Sequence, residues 1–146
     1  MVTLLENAGF RVTGIDVSAE MIRLAKEGSE TAHFIQADIC GYQLSSTYDL
    51  IVAWDSLFHL PIKAHAPVLQ KLCHALKRNG VLMYSLGDAI GEHQEMMEGQ
   101  SMHYSSLGIN ENLRLLAESG LECKHLELDQ FPPHNHVFII AVKIGG

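Results

Sequence analysis

Residues 12–27 read VTGIDVSAEMIRLAKE, and they carry more information about the fold than any other stretch of the 146-residue chain. The segment Arg11–Ile15 has the apolar and β-branched content of a short strand, and Asp16 follows it. Ser18 is a residue type that caps helices, and the apolar positions after it recur at helical spacing. This stretch therefore predicts a strand, an acidic turn and a helix over Ala19–Lys26 in direct succession.

Strands and helices alternate on either side of this stretch. A helix over Thr3–Ala8 precedes it, and a longer helix over Ala64–Lys77 has apolar residues every three or four positions and ends at Asn79-Gly80. The run at Leu50–Ala53 is apolar without alternation, as in a strand that helices cover on both faces. Further strands are predicted at His33–Ala37 and Gly80–Leu86.

The C-terminal third has a different pattern. Residues 87–108 show no clear period, and they are predicted to form a long connection with a short helix around Glu92–Met97. A helix over Asn110–Ser119 follows, and two apolar runs, Leu121–Leu128 and His136–Val142, are separated by the short segment FPPHN. The whole predicts an α/β protein with a mainly parallel sheet and an antiparallel C-terminal hairpin.

Length and composition fit one globular domain, predicted over residues 1–146, with 47% hydrophobic and 18% charged residues. No run reaches the roughly 18 apolar residues that a membrane span needs. A net charge of −7 with scattered basic residues argues against nucleic-acid binding, which depends on Lys and Arg clusters. The N-terminus lacks a secretion signal, and the cysteines (Cys40, Cys73 and Cys123) have no disulfide-framework spacing, so we expect a cytoplasmic protein.

Acidic residues stand at or just after the ends of three predicted strands. Asp16 and Asp38 come directly after two of them, and Asp55 lies two residues beyond the run at 50–53. Ligands of open α/β sheets bind beyond the carboxyl ends of the strands. A carboxylate there can accept hydrogen bonds from ribose hydroxyls or from an exocyclic adenine amine. Asp16 and Asp38, 22 residues apart with a helix between them, therefore predict a nucleotide site rather than two unrelated turn residues.

Four blocks of the sequence resemble the class I S-adenosylmethionine-dependent methyltransferases, specifically the small bacterial-type members. They are VTGIDVSAEMIRLAKE (12–27), FIQADICGY (34–42), YDLIVAWDSLFHLP (48–61) and LKRNGVLMYSL (76–86), in family order and at family spacing. The resemblance covers residues 8–142 and implies a Rossmann-like sheet, S-adenosylmethionine as cofactor, and methyl transfer to a small-molecule acceptor. It implies that Asp16 holds the ribose, Val17 and Ile39 sandwich the adenine, Asp38 binds the adenine amine, and Ala53, Trp54 and Asp55 line the sulfonium side of the cofactor.

The family's first strand and its glycine-rich loop have no counterpart in these residues. The resemblance implies that the sequence begins inside the helix that follows that loop, and no Gly-x-Gly occurs in residues 1–146. In the family the first strand lies in the middle of the sheet. We therefore expect the strands at Val12–Ile15 and Leu50–Ala53 to pair with each other directly or to associate with another copy of the chain.

Much of the rate of methyl transfer can come from positioning, so the resemblance implies no universal catalytic residue. His59 is the candidate general base, because histidine titrates near neutrality, although a packing histidine explains it equally well. His103 and Tyr104 in the long connection are candidate substrate contacts. No metal site is expected, because His134 and His136 have no third ligand nearby in the sequence.

Two other functions remain open from the sequence. A nicotinamide-dependent oxidoreductase also uses an acid after its second strand for ribose, but it does not call for Asp38 or for the closing hairpin. A non-catalytic protein could use the same sheet to bind a partner. S-adenosylmethionine-dependent methyl transfer accounts for more of the sequence than either of these alternatives.

Overall fold

A computed structural model describes residues 1–145, and they fall into two compact units, Met1–Gln43 and the residues from Leu44 onward. The expectation of a single domain over residues 1–146 stays a prediction.

The first unit is a strand–helix–strand unit preceded by a short helix. Its two strands are parallel, with Thr13 opposite His33 and Asp16 opposite Gln36. The hydroxyl of Ser18 accepts a hydrogen bond from the backbone N–H of Met21 at 3.2 Å, which confirms the predicted helix cap. The elements are α1 (Val2–Asn7), β1 (Thr13–Asp16), α2 (Ala19–Glu27) and β2 (His33–Gln36).

The second unit is built on a four-stranded sheet, in which the strands lie in the order β3 (Tyr48–Ala53), β4 (Leu76–Gly87), β8 (His136–Lys143) and β7 (Leu121–Gln130). The pair β3 and β4 is parallel, whereas β8 is antiparallel to both of its neighbours, so the C-terminal hairpin is confirmed. The core lies on the two central strands and on two helices, where Leu82, Ile139, Leu69 and Leu116 are buried. The elements are β3 (Tyr48–Ala53), a 3₁₀ turn (Leu57–His59), α3 (Ile62–His74), β4 (Leu76–Gly87), β5 (Ile90–Met97), β6 (Gln100–Leu107), α4 (Gly108–Glu118), β7 (Leu121–Gln130) and β8 (His136–Lys143).

The predicted end of α3 at Asn79-Gly80 is wrong. The helix ends at His74, and β4 already begins at Leu76, which pairs with Tyr48. The next partners are Leu50 and Val81, so residues 77–80 form a bulge in β4. Asn79 has a φ of 64°, and a Cβ on Gly80 would come within 2.8 Å of the Lys77 carbonyl oxygen. The Asn-Gly pair is therefore a signal for this bulge and not for a helix stop.

The predicted helix around Glu92–Met97 is also wrong, because residues 90–107 form an antiparallel hairpin of β5 and β6. Its turn is Glu98-Gly99, with φ angles of 50° and 79°. Positive φ at both central residues is typical of the type I′ turn, whose twist matches that of the flanking strands. Every residue of β5 is exposed, so the segment carries no apolar alternation that could have indicated a strand.

The strands β1 and β3 do not pair with each other. Within the described part of the chain, β1 is hydrogen-bonded to β2 alone and β3 to β4 alone. The expectation of direct pairing is therefore wrong, and association with a second copy stays a prediction. No helix among residues 1–145 combines the length and apolarity needed to cross a membrane.

Candidate functional site

Two carboxylates occupy the carboxyl ends of the parallel strands in the first unit. Asp16 ends β1, and its Oδ1 accepts a hydrogen bond from the Ser18 N–H at 2.8 Å. Asp38 follows β2, and its Oδ1 accepts from the Cys40 N–H at 2.9 Å. Within residues 1–145, Oδ2 of neither side chain has a hydrogen-bond partner. Each carboxylate is thus oriented by its own turn and keeps one oxygen for a donor.

In the first unit, an apolar residue directly follows each of these two acids in the sequence. Val17 directly follows Asp16, and it is 68% exposed although its side chain is branched and apolar. Ile39, which directly follows Asp38, is half-buried. Carboxylate acceptors next to apolar side chains fit a ligand that combines hydroxyl and amine donors with a flat apolar ring. Adenosine has this combination, so the residues fit the cofactor that the resemblance implies.

The end of β3 in the second unit is held in an unusual backbone conformation. Asp55 has a φ of 48°, a region that non-glycine residues seldom adopt. Its N–H donates to Ser85 Oγ at 2.7 Å, and the Ser85 hydroxyl lies 3.3 Å from Asp55 Oδ1. The adjoining Trp54 ring lies with its centroid 5.5 Å from that of Phe138. Side chains from β4 and β8 therefore fix the residues that follow β3.

His136 is the second side chain that holds Asp55, and its role was missed from the sequence. Its Nε2 lies 2.8 Å from Asp55 Oδ1, and its Nδ1 hydrogen-bonds to Asp129 Oδ1. The side chain is only 8% exposed. Burial lowers the pKa of His136, but hydrogen bonds to Asp129 and Asp55 more than offset it, so the pKa is raised overall. The sequence signal for this contact is the pair Asp129 and His136 on either side of the FPPHN segment, but from the sequence His136 is considered only together with His134, as a possible metal ligand.

The candidates His59, His103 and Tyr104 come together at the β5–β6 hairpin. His59 Nδ1–H donates to the His103 carbonyl oxygen at 3.0 Å, which leaves Nε2 as the nitrogen that can accept a proton. The Tyr104 ring stacks on Phe58 at 5.8 Å and lies 4.9 Å from His59. The hairpin thus places the Tyr104 phenol and the His103 carbonyl beside Phe58 and His59 of the 3₁₀ turn.

Glu92 and Ser105 of this hairpin form hydrogen bonds with residues of α3. His103 Nε2 lies 3.2 Å from Glu92 Oε2 without hydrogen-bond geometry, and the same carboxylate accepts from the Ile62 N–H at 3.3 Å. His65 on α3 is buried, and its Nε2 lies 2.7 Å from Ser105 Oγ. Ser105 donates to the Leu60 carbonyl, so His65 Nε2 must carry the proton of their bond. Burial lowers the pKa of His65.

Comparison with known proteins identifies the family. A family model described as a methyltransferase domain matches residues 1–80. The trans-aconitate 2-methyltransferase of Paracidovorax citrulli (strain AAC00-1) is 38% identical over 94 residues, which are 62% of this chain and 35% of that protein. The enzyme of the same name from Escherichia coli (strain 55989 / EAEC) is 34% identical over 147 residues, with 92% of this chain and 58% of that protein covered. The chain therefore spans between a third and three fifths of the length of these relatives.

A solved structure agrees in fold. A SAM-dependent methyltransferase from Methanosarcina mazei superposes with a TM-score of 0.81, covering 100% of this chain and 88% of that one at 19% identity. The antiparallel C-terminal hairpin confirms the prediction drawn from the two apolar runs on either side of FPPHN. The chain belongs to the methyltransferase domain family, and it has the α/β fold of the class I S-adenosylmethionine-dependent methyltransferases.

Proposed function

We propose that this chain carries out S-adenosylmethionine-dependent methyl transfer to a small-molecule acceptor, alone or as part of a longer protein. The observation that supports this most directly is the pair Asp16 and Asp38, each with an open carboxylate oxygen at the carboxyl end of a parallel strand. Membership of the methyltransferase domain family makes S-adenosylmethionine the cofactor to test first.

In the first unit we assign the adenosine end of the cofactor. Asp16 accepts hydrogen bonds from the ribose hydroxyls, and Asp38 accepts one from the adenine amine. Val17 and Ile39 pack against the faces of the ring. Asp16 is the strongest of these contacts, because one carboxylate can accept from two vicinal hydroxyls.

In the second unit we assign the reactive end. Ala53, Trp54 and Asp55 line the sulfonium side, where the negative charge of Asp55 favours a cation. The bound cofactor supplies an electrophilic methyl group. His59 Nε2 takes the proton that the acceptor loses, while His103 and Tyr104 contact and orient the acceptor.

Isothermal titration of S-adenosylhomocysteine and NAD into the wild-type chain and the Asp16→Ala variant tests this proposal. We expect S-adenosylhomocysteine to bind more tightly than NAD, and Asp16→Ala to weaken it by about 2 kcal/mol, or about thirtyfold, because charge-assisted hydrogen bonds are lost. The control is Asp49→Ala, which removes an exposed carboxylate that pairs with Lys77 at 2.8 Å. Tighter binding of NAD would support an oxidoreductase, and unchanged affinity in Asp16→Ala would refute the ribose assignment.

A further inference from the structure

We propose that His136 is a positioning residue, which holds Asp55 and the adjoining Trp54 through hydrogen bonds from its two ring nitrogens to Asp55 and Asp129. The hydrogen bonds of His136 within the second unit support this restraint of Asp55 and Trp54. Its importance for the cofactor rests on the proposed function, because Asp55 and Trp54 are assigned to the sulfonium side.

The two hydrogen bonds fix the protonation state of the ring. An ionised carboxylate can only accept hydrogen bonds, and His136 has one carboxylate oxygen at each nitrogen. Both nitrogens must then carry a proton, so the ring is an imidazolium cation between two anions. Among residues 1–145, the titratable or charged groups that directly contact this ring are Asp55, after β3, and Asp129, on β7.

Asp55 needs such a restraint. A positive φ is unfavourable at a residue other than glycine, and it persists only where the surroundings enforce it. The side chain of Asp55 is 54% exposed, so packing does not enforce it. Ser85 supplies one restraint from β4, and His136 supplies a second, charge-assisted one from β8.

Asp129 makes the arrangement testable, because it acts on Asp55 only through His136. Its carboxylate bonds to Nδ1, on the side of the ring away from Asp55. Removing its charge should lower the pKa of His136 and leave the Asp55 side chain itself intact. An opposite charge at hydrogen-bond distance shifts a pKa by about one to three units.

Trp54 provides a readout that needs no cofactor. It is the only tryptophan in the chain, and its ring centroid lies 5.4 Å from that of His136. An imidazolium in contact with an excited indole quenches its fluorescence, whereas a neutral imidazole quenches it far less. The intensity of tryptophan emission should therefore increase as the pH is raised through the pKa of His136.

The experiment is a pH titration of tryptophan emission, with parallel NMR detection of the histidine ring protons, in the full chain. We expect one sigmoidal step in the wild type, a step at least about one pH unit lower in Asp129→Asn, and no step in His136→Asn. The control is His125→Asn, which removes an exposed histidine of β7 paired with Glu127 at 3.0 Å and should leave the step unchanged. A step that stays in place in Asp129→Asn, or that disappears in His125→Asn, overturns the proposal.

The functional arm measures S-adenosylhomocysteine affinity across the same pH range. We expect affinity to fall as the pH rises through the His136 step, and the fall in Asp129→Asn to move to lower pH by the same amount. A purely structural role would not move this midpoint. An affinity for S-adenosylhomocysteine that does not change across the His136 step overturns the positioning role. Failure of the wild type to bind at any pH overturns the proposed function, and the emission titration then decides whether His136 restrains Asp55 and Trp54.

Discussion

The ammonium nitrogen of Lys143 lies 2.9 Å from the carbonyl oxygen of Cys73, at the carboxyl end of α3. The same nitrogen donates to the carbonyls of His74 and Leu76 at 3.3 and 3.0 Å, and Lys143 is 9% exposed. The last carbonyls of a helix have no partners within the helix and carry partial negative charge. A lysine from the last strand therefore caps α3 and ties it to the sheet.

Replacing this lysine by methionine should destabilise the protein by about 2 kcal/mol, because hydrogen bonds from a buried charged group to three carbonyls are lost while the stem is kept. Urea unfolding followed by circular dichroism measures the change. The matched control is Lys124→Met, which removes an exposed lysine paired with Glu122 at 2.8 Å and should change the free energy of unfolding by less than about 1 kcal/mol. Equal effects of the two variants would contradict the capping role.

Tyr84→Phe should cost about 1–2 kcal/mol of stability. The hydroxyl of Tyr84 donates to Asn112 Oδ1 at 3.1 Å, and both residues are buried, so the phenylalanine leaves a buried amide oxygen without its donor. Chemical denaturation compares it with Tyr48→Phe, since the Tyr48 hydroxyl has no hydrogen bond to any residue in 1–145. A loss in Tyr48→Phe as large as that in Tyr84→Phe would rule out this hydrogen bond as the cause.

Acid should destabilise the native state through His65. Burial holds the folded-state pKa of His65 below the ordinary value of 6.5, so the unfolded chain takes up a proton that the folded chain does not. Stability should therefore fall as the pH drops below about 6.5. His65→Gln should flatten this part of a plot of melting temperature against pH.

The contribution of His136 to stability depends on pH in the opposite sense to that of His65, and this provides the comparison for that experiment. Its folded-state pKa is raised, so the stability it contributes is present at low pH and is lost as the pH rises through the folded-state pKa. His136→Asn should flatten the alkaline side of the same plot and leave the acid side in place. If His65→Gln flattened the alkaline side of the plot and His136→Asn flattened the acid side, the pKa directions assigned to both histidines would be contradicted.

Gly99→Ala should destabilise the β5–β6 hairpin by about 1 kcal/mol, since alanine disfavours a φ of 79°. A Cβ at Gly99 would meet no atom within 4 Å, so backbone conformation alone causes the cost. Amide hydrogen exchange of residues 90–107 measures this opening locally. Gly41→Ala is the control, because Gly41 also has room for a Cβ and its φ is not positive. Faster exchange in both variants, or in neither, would contradict the prediction.

The parts of the fold that depend on neighbouring residues could be predicted from the sequence. The Ser18 cap and α2 depend on side chains three or four positions apart, and the run at 50–53 marks β3 by composition alone. The hairpin of β5 and β6 was missed because β5 lies on the surface along its whole length, where no apolar alternation is needed. Only the Glu98-Gly99 turn carried a signal for it.

The parts that depend on distant residues could not be predicted. The end of α3 is set by Lys143, which lies about seventy positions away in the chain, and by the pairing of Leu76 with Tyr48. His136 meets Asp55 across 81 positions, so no local pattern could show that contact. In contrast, Asp16 and Asp38 were identifiable because each lies at or within two residues of the carboxyl end of a short strand.

The position of β8 between β4 and β7 has a consequence for folding during synthesis. Two of the three strand pairings of the sheet in the second unit require residues 136–143, which are made more than fifty residues after β3 and β4 have begun. Until then β3 and β4 can form only a two-stranded parallel pair, which is marginal by itself, with its apolar faces exposed. We expect the nascent second unit to depend on chaperones at this stage and to become protease-resistant in one late step, when β8 leaves the ribosome.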